Sequence, residues 1–142
     1  MQFSIEIHAT RNRVWDTLWQ DETFRQWAGL IDPGTYMKGV LKEGNEVAFI
    51  SAENGYGVTS LVEKLTENEF LLFRHRADTK ESGKRDREKE WTGGTESYSL
   101  LEKDGMTKLT VAFDVPPEQE AYFTVNYPKA LDRVKVLAER KK

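Results

Sequence analysis

The stretch PPEQEAYFTVNYPKALDRVKVLAERKK, residues 116–142, decides the fold. Behind Phe123 its apolar positions Tyr127, Ala130, Leu131, Val134, Leu137 and Ala138 fall at offsets of four, seven, eight, eleven, fourteen and fifteen. That is one stripe of a helix starting near Glu118, and such a face must be buried. Aromatic rings at Phe123 and Tyr127 lead the stripe, and small or aliphatic side chains follow. The smaller side chains predict close packing on a sheet. A sheet bending away from the aromatic half would leave room for a ligand. Pro116-Pro117 stops the preceding element and presets the start of the helix. Pro128 removes one helical hydrogen bond and costs about 3 kcal/mol unless the helix bends, so a kink is expected there. Arg140, Lys141 and Lys142 suit the negative end of the helix dipole.

Upstream, the chain reads as a sheet interrupted once by helices. Phe3, Ile5 and Ile7 alternate with polar residues over 1–8, the period of a strand with one buried face. After Ala9, Thr10 stands where a cap belongs, ahead of a helix with inward Val14, Trp15, Leu18 and Trp19. A second short helix runs from Asp21 through Phe24 and Trp27 and ends at Gly29, before the turn Asp32-Pro33-Gly34. Strands follow over Tyr36–Leu41, Glu46–Ser51, Tyr56–Leu65 and Glu69–Ala77, joined by hairpin-length connections at Glu43-Gly44-Asn45, Glu53-Asn54-Gly55 and Thr66-Glu67-Asn68. The alternating charges of Asp78–Glu90 predict a long solvated loop. Trp91–Lys103 and Met106–Val115 are the last strands, joined by Asp104-Gly105, with Leu109, Val111, Phe113 and Val115 facing inward.

With 142 residues the chain is expected to form a single domain over 1–142, large enough to bury a core without disulfide or metal staples. It has no cysteine, which excludes a disulfide framework, thiolate zinc and a cysteine nucleophile. A net charge of −3 argues against nucleic acid, whose phosphates call for a basic face. No apolar run reaches the length of a membrane span and the N-terminus alternates like a strand, so no membrane insertion and a cytoplasmic location are expected.

Strand, two short helices, six strands and a long helix is the order of the helix-grip fold. This α+β architecture wraps a seven-stranded curved antiparallel sheet around a long C-terminal helix. The stretches Ala9-Thr10-Arg11-Asn12-Arg13-Val14-Trp15, Phe24-Arg25-Gln26-Trp27, the hairpin 102–109 and Asn126–Lys135 resemble the START-like (SRPBCC, birch-pollen-allergen-like) superfamily. More narrowly, the chain is similar to bacterial homologues of the domain that activates the heat-shock-protein-90 ATPase. The resemblance covers essentially the whole chain. Its motifs are packing and turn signatures rather than catalytic ones.

Candidate chemistry is sparse. His8 and His75 are the only histidines, too few to converge on a metal, so no metal and no cofactor are expected. His8 takes the outward parity of its strand. His75 shares parity with Leu71 and Phe73, which turns it toward the concave face as a hydrogen-bonded core histidine or a functional one. Gly55, Gly57 and Gly93-Gly94 lack the following lysine step and helix start of a phosphate loop and read as turns or bulges. Glu96, Tyr98 and Leu100 share one strand face, where a carboxylate beside a phenol would orient the polar end of an apolar ligand. The competing expectation places Glu96 near the open end of the sheet, solvated or paired with Arg74 or Arg76. The aromatic set Trp27, Phe49, Phe73, Trp91, Tyr98, Phe113, Phe123 and Tyr127 supplies either cavity lining or plain core, and the resemblance implies a cavity.

The first functional expectation is a non-catalytic protein that holds a small hydrophobic or amphipathic molecule between the sheet and the first half of the last helix, entered near Trp27–Gly34 and the strand loops and lined by that aromatic set with His75 and Glu96. A protein-interaction, co-chaperone-like module is the alternative that the resemblance implies. A third is an enzyme of the cyclase or dehydratase kind, with Glu96, His75 and Tyr98 as its acid–base candidates.

Overall fold

The structure, a computed structural model, describes residues 1–53, 55–80 and 94–140, and of Asp78 and Lys80 the backbone only. Asn54, Gly93, Lys141, Lys142, Trp91 and most of the expected charged loop lie outside the described residues. The chain begins with β1 (Gln2–Ile7) and two helices, α1 (Arg11–Trp19) and α2 (Asp21–Ala28). Six further strands follow: β2 (Thr35–Lys38), β3 (Glu46–Ser51), β4 (Tyr56–Thr66), β5 (Phe70–Lys80), β6 (Thr95–Lys103) and β7 (Met106–Phe113). A 3₁₀ turn, Pro117–Gln119, leads into α3 (Glu120–Glu139).

Among the described residues the strands form one curled antiparallel sheet in the order β1-β7-β6-β5-β4-β3-β2, the helix-grip arrangement. The N-terminal strand closes against the last one, in register from Gln2 opposite Ala112 to Ile7 opposite Thr107. The rest of the order pairs strands consecutive in the chain, and the short connections β3–β4, β4–β5 and β6–β7 leave their strands no choice but to pair. Asp104 and Gly105 take the two positive φ values, 54° and 77°, that a tight two-residue hairpin needs. The β4–β5 ladder slips twice, between Thr59 and Ser60 and between Val62 and Lys64. Such irregularities increase local twist and bend.

The inward pattern of each strand is the alternation of its sequence. On β5 Leu71, Phe73 and His75 are buried; on β7 so are Thr107, Leu109, Val111 and Phe113. Tyr127, Ala130, Leu131, Val134, Leu137 and Ala138 are buried along α3, while Phe123 at its head is half-buried. The helix is continuous through Pro128.

Several local expectations are corrected. Thr10 occupies the cap position of α1 with extended backbone, but its side chain makes no cap hydrogen bond. The last carbonyls of α3 are met from across the fold: Arg13 of α1 donates to Ala138 O and Arg140 O, placing a cation at the negative end of the dipole. β2 ends three residues before Leu41, ahead of Gly39, whose φ of +115° is a conformation few other residues adopt. β5 runs on to Lys80, three residues beyond Ala77.

Candidate functional site

Where the sheet bends away from the head of α3, a half-open cavity of about 350 Å³ lies between them. Every layer contributes. Phe24, Trp27 and Ala28 come from α2, Ile31 and Asp32 from the segment after it, and Thr35 from the start of β2. Phe49 of β3 and Tyr56, Gly57 and Val58 of β4 form the wall beside the mouth. His75, Glu96 and Tyr98 line it from β5 and β6, opposite Phe123 and Tyr127 of α3. The walls are mostly aromatic, as expected of a pocket that gains affinity from apolar burial and orientation from a few polar groups.

Those polar groups form a chain. The Tyr98 hydroxyl donates to Glu96 Oε2 at 2.6 Å, and the Tyr98 and Tyr127 hydroxyls are 3.1 Å apart. A phenol has one proton to give, so with that of Tyr98 committed to Glu96 the Tyr127 hydroxyl donates to Tyr98. Burial pushes both phenols well above the ordinary tyrosine value, and the negative charge of Glu96 pushes them further. They therefore stay protonated and uncharged at neutral pH. Glu96 reaches this position because its two-residue offset from Tyr98 puts both on the concave face of β6. The expected pairing with Arg74 or Arg76 is corrected: Arg74 binds Glu63 through Nε at 2.8 Å, and Arg76 Nε lies 4.0 Å from Glu46.

His75 is buried and its Nδ1 lies 2.8 Å from Ser60 Oγ, the residue opposite it across the first slip in the β4–β5 ladder. It and Glu96 line the same cavity but hydrogen-bond to different partners, Ser60 and Tyr98, not to each other. No acid–base pair is assembled between them. Among the described residues no three histidine, aspartate or glutamate side chains gather closely enough to hold a metal ion.

Of the residues singled out in the sequence, Trp27, Phe49, His75, Glu96, Tyr98, Phe123 and Tyr127 converge on the cavity. Phe73 and Phe113 stand one layer behind it. Phe73 meets the rings of Trp19, Phe49 and Tyr98, and Phe113 packs against Phe3, Phe123 and Tyr127. Both are core because curvature turns neighbouring rings across them. Trp91 lies outside the described residues. Ala28, Ile31 and Asp32 fall within the expected entry Trp27–Gly34, whereas Phe24 was missed, although Phe24, Trp27, Ala28 and Ile31 recur at offsets of three, four and seven, one helical face carried past Gly29. Gly57 carried no such signal. It lies so close to β3 that an added Cβ would stand 1.8 Å from the Phe49 carbonyl oxygen.

Residues 8–139 match the family model described as Activator of Hsp90 ATPase homolog 1-like protein. No curated protein sequence is significantly similar. Among solved structures, the Aha1 dimer from Colwellia psychrerythraea is similar at TM-score 0.71 and 18% identity, over 98% of this chain and 95% of that one. CalU16 from Micromonospora echinospora matches at TM-score 0.66 and 14% identity, over 96% and 74%. DynU16, encoded in the dynemicin biosynthetic locus, matches at TM-score 0.69 and 14% identity over 95% of this chain, which spans 45% of that protein. At these identities the likeness is one of fold.

Proposed function

The chain belongs to the family of activator of Hsp90 ATPase homologue 1-like proteins, and from that premise we propose that it binds a small, largely apolar molecule in the cavity between the curled sheet and the head of α3. The observation that carries this reading is the uneven packing of α3. Ala130, Leu131, Val134 and Ala138 are at most 2% exposed, whereas Phe123 and Tyr127 border a space of about 350 Å³. At about 30 Å³ per water-sized group, that space holds roughly a dozen such groups. Apolar burial at about 25 cal/mol per Å² supplies the driving force for a guest of that size. The Glu96–Tyr98–Tyr127 chain sets which end points inward. Binding without catalysis is favoured because His75 and Glu96 are each held by a different partner.

The test is titration with 1-octanol, followed by tryptophan fluorescence and by thermal stability. Wild type is expected to bind and to gain stability. Ile31→Trp, which puts a bulky indole in place of an aliphatic side chain at the mouth, is expected to fold with an unchanged melting temperature and lose octanol binding. Absence of binding to wild type, or equal binding by both proteins, would remove the reading.

A second reading, a protein-interaction module, draws support from a different surface. Tyr122, Val125 and Val136 on the outer side of α3 are 49%, 58% and 54% exposed, with Leu30 beside them at 39%. Exposed apolar residues grouped along one helix mark candidate contact surfaces. Val125→Asp would abolish a partner contact there and leave octanol binding intact, whereas loss of octanol binding would tie that face to the cavity instead.

A further inference from the structure

If the exposed side of α3 is the contact surface of the second reading, on which this inference rests, its own spacing names what covers it. Tyr122, Val125, Lys129, Asp132 and Val136 succeed one another at steps of three, four, three and four. That is the 3.5-residue repeat of a helix–helix seam. All five side chains are exposed, whereas Tyr127 and Val134, on the other side of the helix, are buried in the core. From Tyr122 to Val136 the seam runs about 21 Å, at about 1.5 Å per residue. A groove of about 440 Å³, lined by Leu30, Lys129, Asp132, Arg133 and Val136, opens beside its C-terminal half.

The order of charges along the seam decides the partner. Val125 and Val136 flank one cation and one anion, Lys129 and Asp132. Turned about a two-fold axis midway between 129 and 132, the seam meets itself antiparallel. Val125 then faces the second copy's Val136, Lys129 faces its Asp132, and the same contacts repeat beyond the axis. Apolar layers and charge pairs are satisfied together. A parallel pair would instead set lysine against lysine and aspartate against aspartate, and like charges in contact oppose association. Polar residues at seam positions fix register and orientation in paired helices. We propose that this face of α3 pairs antiparallel with the same face of a second copy of the chain, centred between Lys129 and Asp132. A seam of about four turns lies at the small end of specific interfaces, so the dimer is reversible and dissociates on dilution.

The test is sedimentation equilibrium of the intact chain from about 1 µM to about 1 mM, at low ionic strength where these charges are least screened. Wild type is expected to pass from monomer to dimer over that range. Lys129→Asp puts two carboxylates in each central layer and Asp132→Lys puts two ammonium groups there, and each alone is expected to weaken the dimer about tenfold or more. An equimolar mixture of the two variants pairs opposite charges in every central layer again and is expected to dimerise as wild type does. Recovery in the mixture also shows that both variants fold. Wild type that stays monomeric throughout overturns self-pairing and leaves the face to a different partner. A dimer that Val125→Asp disrupts but neither charge exchange weakens, or a mixture that fails to recover, overturns the antiparallel register while keeping the face as an interface. A dimer indifferent to all three substitutions lies elsewhere and removes the contact reading of this face as well.

Discussion

The hydroxyls of Tyr98, on the sixth strand, and Tyr127, on the last helix, meet at 3.1 Å and join sheet to helix at the boundary between packed core and cavity. Below this contact α3 is seated on the sheet; above it the two surfaces part. Because Tyr98 also donates to Glu96, the pair is part of a chain rather than an isolated bond.

Removing either hydroxyl therefore has unequal effects. Tyr127→Phe deletes one hydrogen bond and is expected to cost about 1 kcal/mol, or about 3–5 °C in melting temperature. Tyr98→Phe costs about twice that, since it leaves Glu96 without its donor and the buried Tyr127 hydroxyl without an acceptor. A double-mutant cycle by urea denaturation should yield a coupling of about 0.5–1.5 kcal/mol, and additive effects would dissolve the chain.

The same two phenols make stability sensitive to alkali. Their native values are raised by burial first and by the charge of Glu96 second, while in the unfolded chain they ionise near the usual value of about 10. Above that pH the native state holds more protons than the unfolded one, so stability falls as pH rises; below it the contribution is complete. The melting temperature should decline beyond about pH 10, with tyrosinate absorbance from these residues appearing only on unfolding. Tyr127→Phe should flatten the decline, and an unchanged slope would count against the assignment.

Acid acts at the other end of the helix. Glu139 accepts from Lys135 and from the His8 backbone N–H at 2.8 Å, and these contacts, Lys135 first, hold its carboxyl below the ordinary range. A lowered value means stabilisation present above the unfolded value of about 4.3 and lost as pH falls through the native one. Glu139→Gln should make acid unfolding less steep in that range. Because Glu139 remains partly open to solvent, which screens the pair, the effect at neutral pH should be slight. A variant that unfolds in acid just as wild type does would show that the clamp carries no linkage.

Gly57 presents a steric test. A methyl group there would collide with the backbone of Phe49, on which no rotamer change gives relief. Gly57→Ala should cost about 1–3 kcal/mol by overpacking and also shift the β3–β4 wall of the cavity. Gly55→Ala is the comparison: it adds strain at a positive φ of 73° but touches nothing within 4 Å. If the two variants lose equal stability, the close approach of the strands is not what requires glycine at 57.

Much of this protein was legible before any coordinates. The apolar stripe from Phe123 to Ala138, the Asp104-Gly105 hairpin and the alternation on β5 and β7 are local patterns, set by 3.6 and 2 residues per repeat and by which residues tolerate positive φ. They determined the order of elements, which face of each turns inward, and hence the helix-grip arrangement. That His75 turns inward and that Glu96 shares a face with Tyr98 follow from the same parity.

Tertiary structure decided what those inward faces meet. Parity put Phe73, Phe113 and Glu96 on the concave side but could not say that the first two stand behind the cavity while the third opens into it. Nor could it make Gly57 part of the cavity wall, or assign Arg74 to Glu63 and leave Glu96 to Tyr98. These outcomes depend on how far the sheet curls around α3, and that curl arises from register slips between strands and from packing across residues far apart in the chain. Repeats along a chain encode direction; distance between elements is set only when all of them pack at once.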